Sequence, residues 1–248
     1  MTYPKFLKVI KFDTCDSTNN FLKKNYRKFQ NEFPVLITTI EQTKGKGRET
    51  RNWFSEKNKG LYSSFAFFTK NKEHLNLLSL IAGISVSEVL NKISKNDFII
   101  KWPNDVLYKN KKIAGVLIEN IIFKKEIVSI VGIGVNLNHK QTDFPDELKE
   151  SAISLKMITG KTYEVEKVNM KLSRLFFKWL DKLEKNERDK IIKKSNELGF
   201  LFKGKKVSFY NKDKIIKGIY EGINKEGGLI LEQDNGVKSI FFSGEICL

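Results

Sequence analysis

At 248 residues with 40% apolar content, the chain is long enough for one large domain with a real core plus a small appendage. Basic residues outnumber acidic ones by 45 to 29, a net charge of +16 that suits a polyanionic, acidic or nucleotide partner without choosing among them. Only Arg27, Arg48, Arg51, Arg174 and Arg188 carry guanidinium groups and only His74 and His139 imidazoles, which argues against an arginine-based nucleic-acid reader and against histidine chemistry. In chain order, a first strand leads into Asp16-Ser17-Thr18-Asn19, where a hydroxyl cap precedes Phe21, Leu22, Tyr26 and Phe29 at helical spacing. Val35 to Glu41 and Leu61 to Phe68 are β-branched and aromatic and read as strands, separated by a polar, glycine-bearing loop from Gln42 to Gly60.

Leu75 to Ile93 carries apolar residues near a helical period, and the run Phe98 to Ile100 reads as a strand that Trp102-Pro103-Asn104 ends. Val106 to Tyr108 and Ile113 to Glu119 flank Lys109-Asn110-Lys111 as a hairpin, and Val128 to Val135 adds a strand, giving a mixed or antiparallel sheet. The strongest helix spans about Val165 to Leu183, with Val168, Leu172, Leu175, Phe176, Trp179, Leu180 and Leu183 on one stripe. A shorter helix ends near Gly199. Beyond it, Lys206 to Tyr210, Lys214 to Tyr220, Leu229 to Glu232 and Val237 to Phe242 are short strands broken by glycines, the texture of a small all-β barrel. The expected division is residues 1–199 and 200–248.

Cys15 and Cys247 form no CxxC, zinc or disulfide pattern, which suits a reducing cytoplasm. The N-terminal MTYPKFLKVIKFD has no apolar signal core, and no later run reaches the ~18 apolar residues that span a bilayer. No membrane partner is expected.

Four segments attract chemical attention. Lys44 to Arg51 sets cations among glycines, so backbone N–H groups and side chains can converge on a phosphate or carboxylate; an exposed basic turn has the same composition. It lacks the GxxxxGK[ST] pattern of a P-loop. Gly132-Ile133-Gly134 lacks the third glycine of a dinucleotide fingerprint and reads as close backbone packing against a ligand or a neighbouring strand. Read singly, Lys112 is a lysine at a sheet edge, Trp53 a core residue, Asp105 a turn carboxylate and Ser17 a helix cap.

Taken together and in order, Asp16 to Asn19, Gln42-Thr43-Lys44-Gly45-Lys46-Gly47-Arg48 with Arg51 and Trp53, Lys101 to Asp105 with Lys111 to Glu119, and Gly132 to Asn138 closely resemble the motifs of biotin-protein ligases. The tail Ser243-Gly244-Glu245-Ile246 is similar to the end of that family's C-terminal module. The resemblance implies an α+β fold: a class II aminoacyl-tRNA-synthetase-like catalytic domain with a mixed, largely antiparallel sheet, plus a small SH3-like β-barrel. It implies ATP-dependent formation of biotinyl-5'-AMP and transfer of biotin to a lysine of a biotin carboxyl carrier protein, with magnesium as companion of ATP. A monofunctional type is expected, because the first strand and the DSTN motif come too early for the winged helix-turn-helix of the family's repressors. A homodimer is compatible with the resemblance.

By the same resemblance, Ser17, Thr18, Asn19, Gln42, Gly45, Lys46, Gly47, Arg48, Lys112, Gly115, Gly132 and Gly134 would bind biotin. Arg48, Arg51, Trp53, Asn104, Lys112 and Asn136 would bind ATP, with Trp53 stacking on adenine and Asn136 hydrogen-bonding it. Lys112 and Arg48 would act as fixed cations in catalysis, and Asp105 would orient or deprotonate the acceptor amine. Departures from the family pattern are Lys44 for alanine, Lys46 for the first arginine and Thr50 for a glycine. Lysine lacks arginine's bidentate fork, so the adenylate would be held less tightly or more through backbone N–H groups. Two alternatives stay open: lipoate-protein ligase, which shares the catalytic fold but not the loop and KWPND motifs, and a basic nucleic-acid-binding protein.

Overall fold

The computed structural model describes residues 7–211 and 214–247. Residues 1–6, the start of the N-terminal segment considered above, and the side chain of Cys247 lie outside that description. Seven strands form a mixed sheet: β1 (Lys8–Cys15), β2 (Val35–Gln42), β3 (Gly60–Phe68), β4 (Ile99–Lys101), β5 (Asp105–Tyr108), β6 (Lys111–Phe123) and β7 (Glu126–Asn136), in the order β1-β2-β3-β7-β6-β5-β4. Only β1 and β2 run parallel, and the helix between them, α1 (Thr18–Phe29), is the crossover that parallel pairing requires. Ser17 caps α1, its side chain accepting from Asn20 N.

Alternation along β2 divides the core. Leu36 faces the large cluster that includes Phe65, whereas Val35 and Ile37 join Leu22, Ala66 and Ile130 beneath α1. Over the large cluster lie α2 (Leu75–Ser94) and α5 (Val165–Glu184), where Phe176 stacks on Phe65 with centroids 4.7 Å apart. The stripe expected on α5 is largely buried, with Leu175 and Leu180 partly exposed at its margin. The stretch Lys72–Ser94 corrects the expectation that nothing is long and apolar enough to cross a bilayer; by length and composition it qualifies. Its Leu77, Leu78, Ile81 and Ile84 are completely buried against the sheet and α5, so it is the central core helix.

The hairpin between β5 and β6 turns on Lys109 and Asn110 with φ of 45° and 67°, the two positive values of a type I′ turn. Between Val106 and Leu107 the β5–β6 register shifts: Val106 faces Ala114, but Leu107 faces Lys112. Two residues of β6 there oppose one of β5, a bulge that puts Lys112 on the same face as Asp105 and leaves Ile113 in the core.

Between β7 and α5 the chain forms two short helices that the sequence reading did not anticipate, α3 (Asp146–Lys149) and α4 (Leu155–Thr159). Here His139, fully buried, stacks on Phe144 at 4.9 Å, and Lys59 pairs with Asp143 at 2.8 Å. Burial drives the imidazole's pKa down to about 4, with Asp143 opposing and Lys59 assisting. After α6 (Arg188–Glu197), Ile100 N donates to Leu198 O and Phe200 N to Ile100 O, pinning the connection against β4.

The remainder is a five-stranded antiparallel sheet of β8 (Lys206–Asn211), β9 (Lys214–Ile223), β10 (Leu229–Glu232), β11 (Lys238–Phe241) and β12 (Glu245–Cys247), ordered β11-β10-β9-β8-β12. The strand β12 is one more than the sequence reading contained. This sheet shares the large core: Trp102 packs near Phe209 and donates its indole N–H to Gly227 O at 3.1 Å.

Two outcomes are expected from these packing relations. Trp102→Ala should cost about 3–5 kcal/mol, the usual range for truncating a large buried aromatic, read as a lower urea midpoint; an unchanged midpoint would show the two sheets to be energetically independent. For His139, the unfolded chain takes up a proton below pH 6.5 that the folded chain resists until about pH 4. The stability conferred by the neutral ring is complete above pH 6.5 and lost as pH falls towards 4, about 3 kcal/mol in all. Urea titrations across that window should show a shallower slope in His139→Phe.

Candidate active site

The register of β6 and β7 creates a hollow in the sheet. Gly115 lies opposite Gly134, and Gly132 lies opposite Leu117, so three neighbouring positions on the α1 face present no side chain. A Cβ on Gly132 would overlap the Asn19 amide, and one on Gly134 the indole of Trp53. Glycine at these positions is therefore demanded by close approach of side chains, not by backbone torsion. Above the hollow lies a cavity of about 280 Å³.

One end of the cavity is polar. Thr18 N donates to Gln42 Oε1 at 2.9 Å, and Gln42 Nε2 donates to Ser55 Oγ at 2.9 Å. Asn19, expected to line this end, does so with its amide already committed: Nδ2 donates to Leu117 O and Glu119, and Oδ1 accepts from Ser64 Oγ at 2.6 Å. Its work is to support the wall. Ser17 also lines this end, its hydroxyl held only by a long 3.5 Å contact from Asn20 N.

At the waist lies Trp53, its indole over Gly115 and Gly134 and its buried Nε1 without a hydrogen-bond partner. Lys112 Nζ sits 5.4 Å from the ring centroid and 2.7 Å from Asp105 Oδ1. Beyond Trp53 the walls are Phe144, Leu148, Ser151 and Ala152, together with Asn136 at the end of β7. Asn136 Nδ2 donates to Ile153 O at 3.2 Å, which leaves its carbonyl oxygen to accept from a ligand. Sequence reasoning missed the four wall residues. They belong to the irregular segment after β7, where neither periodicity nor motif gave a signal.

The loop between β2 and β3 supplies charge. It closes on itself through Trp53 N to Gly45 O at 2.9 Å and Gly47 N to Arg51 O at 2.8 Å. Arg48 Nη1 lies 3.2 Å from Asn104 Oδ1 and 3.3 Å from Gly244 O, while Arg51 and Lys101 both reach Glu245, at 3.4 and 3.6 Å. The tail of the second sheet thus holds the loop over the pocket, a role for Glu245 that the linear sequence did not suggest. Lys46, Arg48, Arg51, Lys101 and Lys112 line the cavity against only Asp105 and Glu245, so it is electropositive. Every expected site residue borders this one cavity except Gly45, which lies outside the lining, packed at the base of the loop against Ser55 and the Trp53 carbonyl.

The fit to magnesium is limited on the protein side. Asp105 and Glu245 are both paired with cations, and no cluster of three or more His, Cys, Asp or Glu side chains that could hold a metal ion occurs among the described residues.

Comparison with known proteins adds independent findings. Residues 11–138 match the model of the biotin/lipoate A/B protein ligase family, and residues 204–248 that of the biotin protein ligase C-terminal domain. The bifunctional ligase/repressor BirA of Bacillus subtilis is 31% identical over 84% of this chain, which spans 64% of that relative's length. The Escherichia coli protein of the same name is 30% identical, covering 94% of this chain and 71% of its own. Among solved structures, the biotin protein ligase of Aquifex aeolicus in complex with biotin and ATP superposes with a TM-score of 0.81 at 33% identity, covering 98% of both chains. The mixed sheet followed by an antiparallel C-terminal sheet is the α+β arrangement that the motifs led us to expect. The chain belongs to the biotin/lipoate A/B protein ligase family.

Proposed function

We propose that the protein is an ATP-dependent biotin-protein ligase that forms biotinyl-5'-AMP and transfers the biotinyl group to a lysine of a biotin carboxyl carrier protein. The observation that carries this reading is the meeting of Arg48 and Lys112 at one glycine-floored cavity that is polar at one end and aromatic at the other. In the first step, a biotin carboxylate oxygen attacks the α-phosphorus of ATP, and the bond to the bridging oxygen breaks to release pyrophosphate. Both reactants are anions, and fixed cations remove that repulsion at no reorganisation cost. Lys112 is suited to bridge the carboxylate and phosphate, and Lys46, Gly47 and Arg48 to wrap them. Arg51 and Asn104 would assist at the phosphates, Asn104 by steering Arg48.

The polar end, with Ser17, Thr18 and Gln42, suits the ureido ring of biotin, whose donors and acceptors need matching partners once buried. Gly132 would shape the biotin site by seating Asn19, and Gly115 and Gly134 by seating Trp53, so that the ring and chain lie against those side chains. The base would sit among Trp53, Phe144 and Ala152, and the free acceptor of Asn136 suits the amino group of adenine. Magnesium would enter with ATP, bound through phosphate oxygens and water. In the second step the acceptor amine attacks the acyl carbon, the bond to the phosphate oxygen breaks, and AMP departs with the electron pair. Asp105, 2.7 Å from Lys112, would orient the amine or accept its proton.

The +16 charge favours an acidic carrier through electrostatic steering. The same reading has two functional units, residues 1–199 and 200–248, acts in the cytoplasm, and involves neither nucleic acid nor membrane.

Biotin-dependent exchange of ATP with labelled pyrophosphate tests the site directly. Lys112→Ala and Arg48→Ala should each lose about 100- to 1000-fold in rate with an unchanged circular dichroism spectrum; full activity in both would refute the assignment. Offered biotin and lipoate side by side with the matching carrier domains, the protein should modify only with biotin. Lipoate transfer would make it a lipoate ligase, and salt-dependent duplex binding without exchange activity would favour a nucleic-acid role.

A further inference from the structure

The polar end of the pocket and the cationic loop are joined by a hydroxyl to which the sequence reading and the proposed mechanism give no role. Ser55, buried at 6% exposure, closes the base of the loop, where Gln42 N donates to Ser55 O. Its Oγ accepts from Gln42 Nε2 at 2.9 Å and donates to Trp53 O at 3.1 Å. The far end of the Gln42 carboxamide takes the Thr18 N–H at 2.9 Å and lies 3.2 Å from Thr18 Oγ1. Thr18 Oγ1 in turn is 2.6 Å from Ser64 Oγ, which is 2.6 Å from Asn19 Oδ1. One run of hydrogen bonds therefore extends from the pocket's polar wall to the backbone of the residue that forms its waist.

There is little slack in that run. A Cβ on Gly45 would meet Ser55 Oγ at 2.6 Å and overlap the Trp53 carbonyl, so the two loop arms are already in contact at this level. The links of Ser64 to Thr18 and Asn19 are buried, where each is stronger and a broken one costlier. A ring that bonds to Thr18 and Gln42 immobilises the carboxamide. A fixed carboxamide holds Ser55, and Ser55 holds the Trp53 carbonyl, from which Arg51 and Arg48 lie only two and five residues upstream.

We propose that Ser55 is a positioning residue that couples occupancy of the pocket's polar end to the placement of Trp53 and the cationic loop, so that biotin and nucleotide tighten each other's binding through it. The proposal rests on the ligase reading above. Reciprocity is required: whatever factor biotin confers on nucleotide affinity, the nucleotide confers on biotin.

The test is calorimetric titration of an α,β-methylene ATP analogue into the full chain, with and without saturating biotin, in wild type, Ser55→Ala and Ser55→Thr. Biotin should tighten the analogue in wild type. That enhancement should fall about fivefold in Ser55→Ala, the factor that a hydrogen bond of about 1 kcal/mol confers, and return in Ser55→Thr, which keeps the hydroxyl. A Ser55→Ala protein whose analogue affinity drops equally with and without biotin, or keeps the full enhancement, overturns the proposal. Should the alanine variant fail to fold, amide exchange in wild type decides. Biotin alone should slow exchange at the Trp53 N–H, which bonds to Gly45 O, and unchanged exchange overturns the coupling while leaving the ligase reading intact. A wild-type chain that binds no biotin overturns the ligase reading, and the coupling with it.

Discussion

The pairing of Gly115 with Gly134, beside Gly132, is the constraint on which the rest of the site depends. A sheet covered on both faces ordinarily fills the space above every residue. Three absent side chains on neighbouring strands leave a hollow deep enough for Asn19 to enter at one end and Trp53 at the middle. The floor is rigid because it is backbone in a hydrogen-bonded ladder, and rigidity is what a site needs if its charges are to cost nothing to reorganise during reaction.

Charge is brought to that floor by two unrelated devices. A bulge in β6 turns Lys112 onto the pocket face, where Asp105 holds it at 2.7 Å, and a self-closed loop carries Lys46, Arg48 and Arg51 over the top. The loop is tied at its base by Ser55 and at its far side by Gly244 and Glu245, so residues nearly two hundred positions away in the chain help set its height above the sheet. Burial of Trp102 between the two sheets keeps the second sheet from drifting and carrying Glu245 with it.

Much of the architecture was legible because its signals are local. The cap at Ser17, the Lys109-Asn110 turn and the stripe along α5 each follow from torsional preference or a 3.6-residue period within a few residues of chain. The segment between β7 and α5 had no such signal, and with it went Phe144, Leu148, Ser151 and Ala152, apolar or small residues whose proximity to the site is entirely a matter of packing. The long apolar α2 was underestimated for a different reason: Ser85 and Ser87 interrupt its apolar run in the sequence, yet both are completely buried with it.

The sequence by itself determined which residue types the site would use, since the ordered set of DSTN, the glycine-lysine-arginine loop, KWPND with KKIAG, and GIGVN belongs to one family. It also determined most strands and helices, because side-chain periodicity is written in the order of residues. Tertiary structure alone decided that Asn19 is a supporting wall and not a free donor, that Lys112 turns to the pocket, and that Glu245 grips the loop. Those outcomes depend on register, bulges and contacts across nearly two hundred residues of chain, and no interaction along the local sequence encodes them.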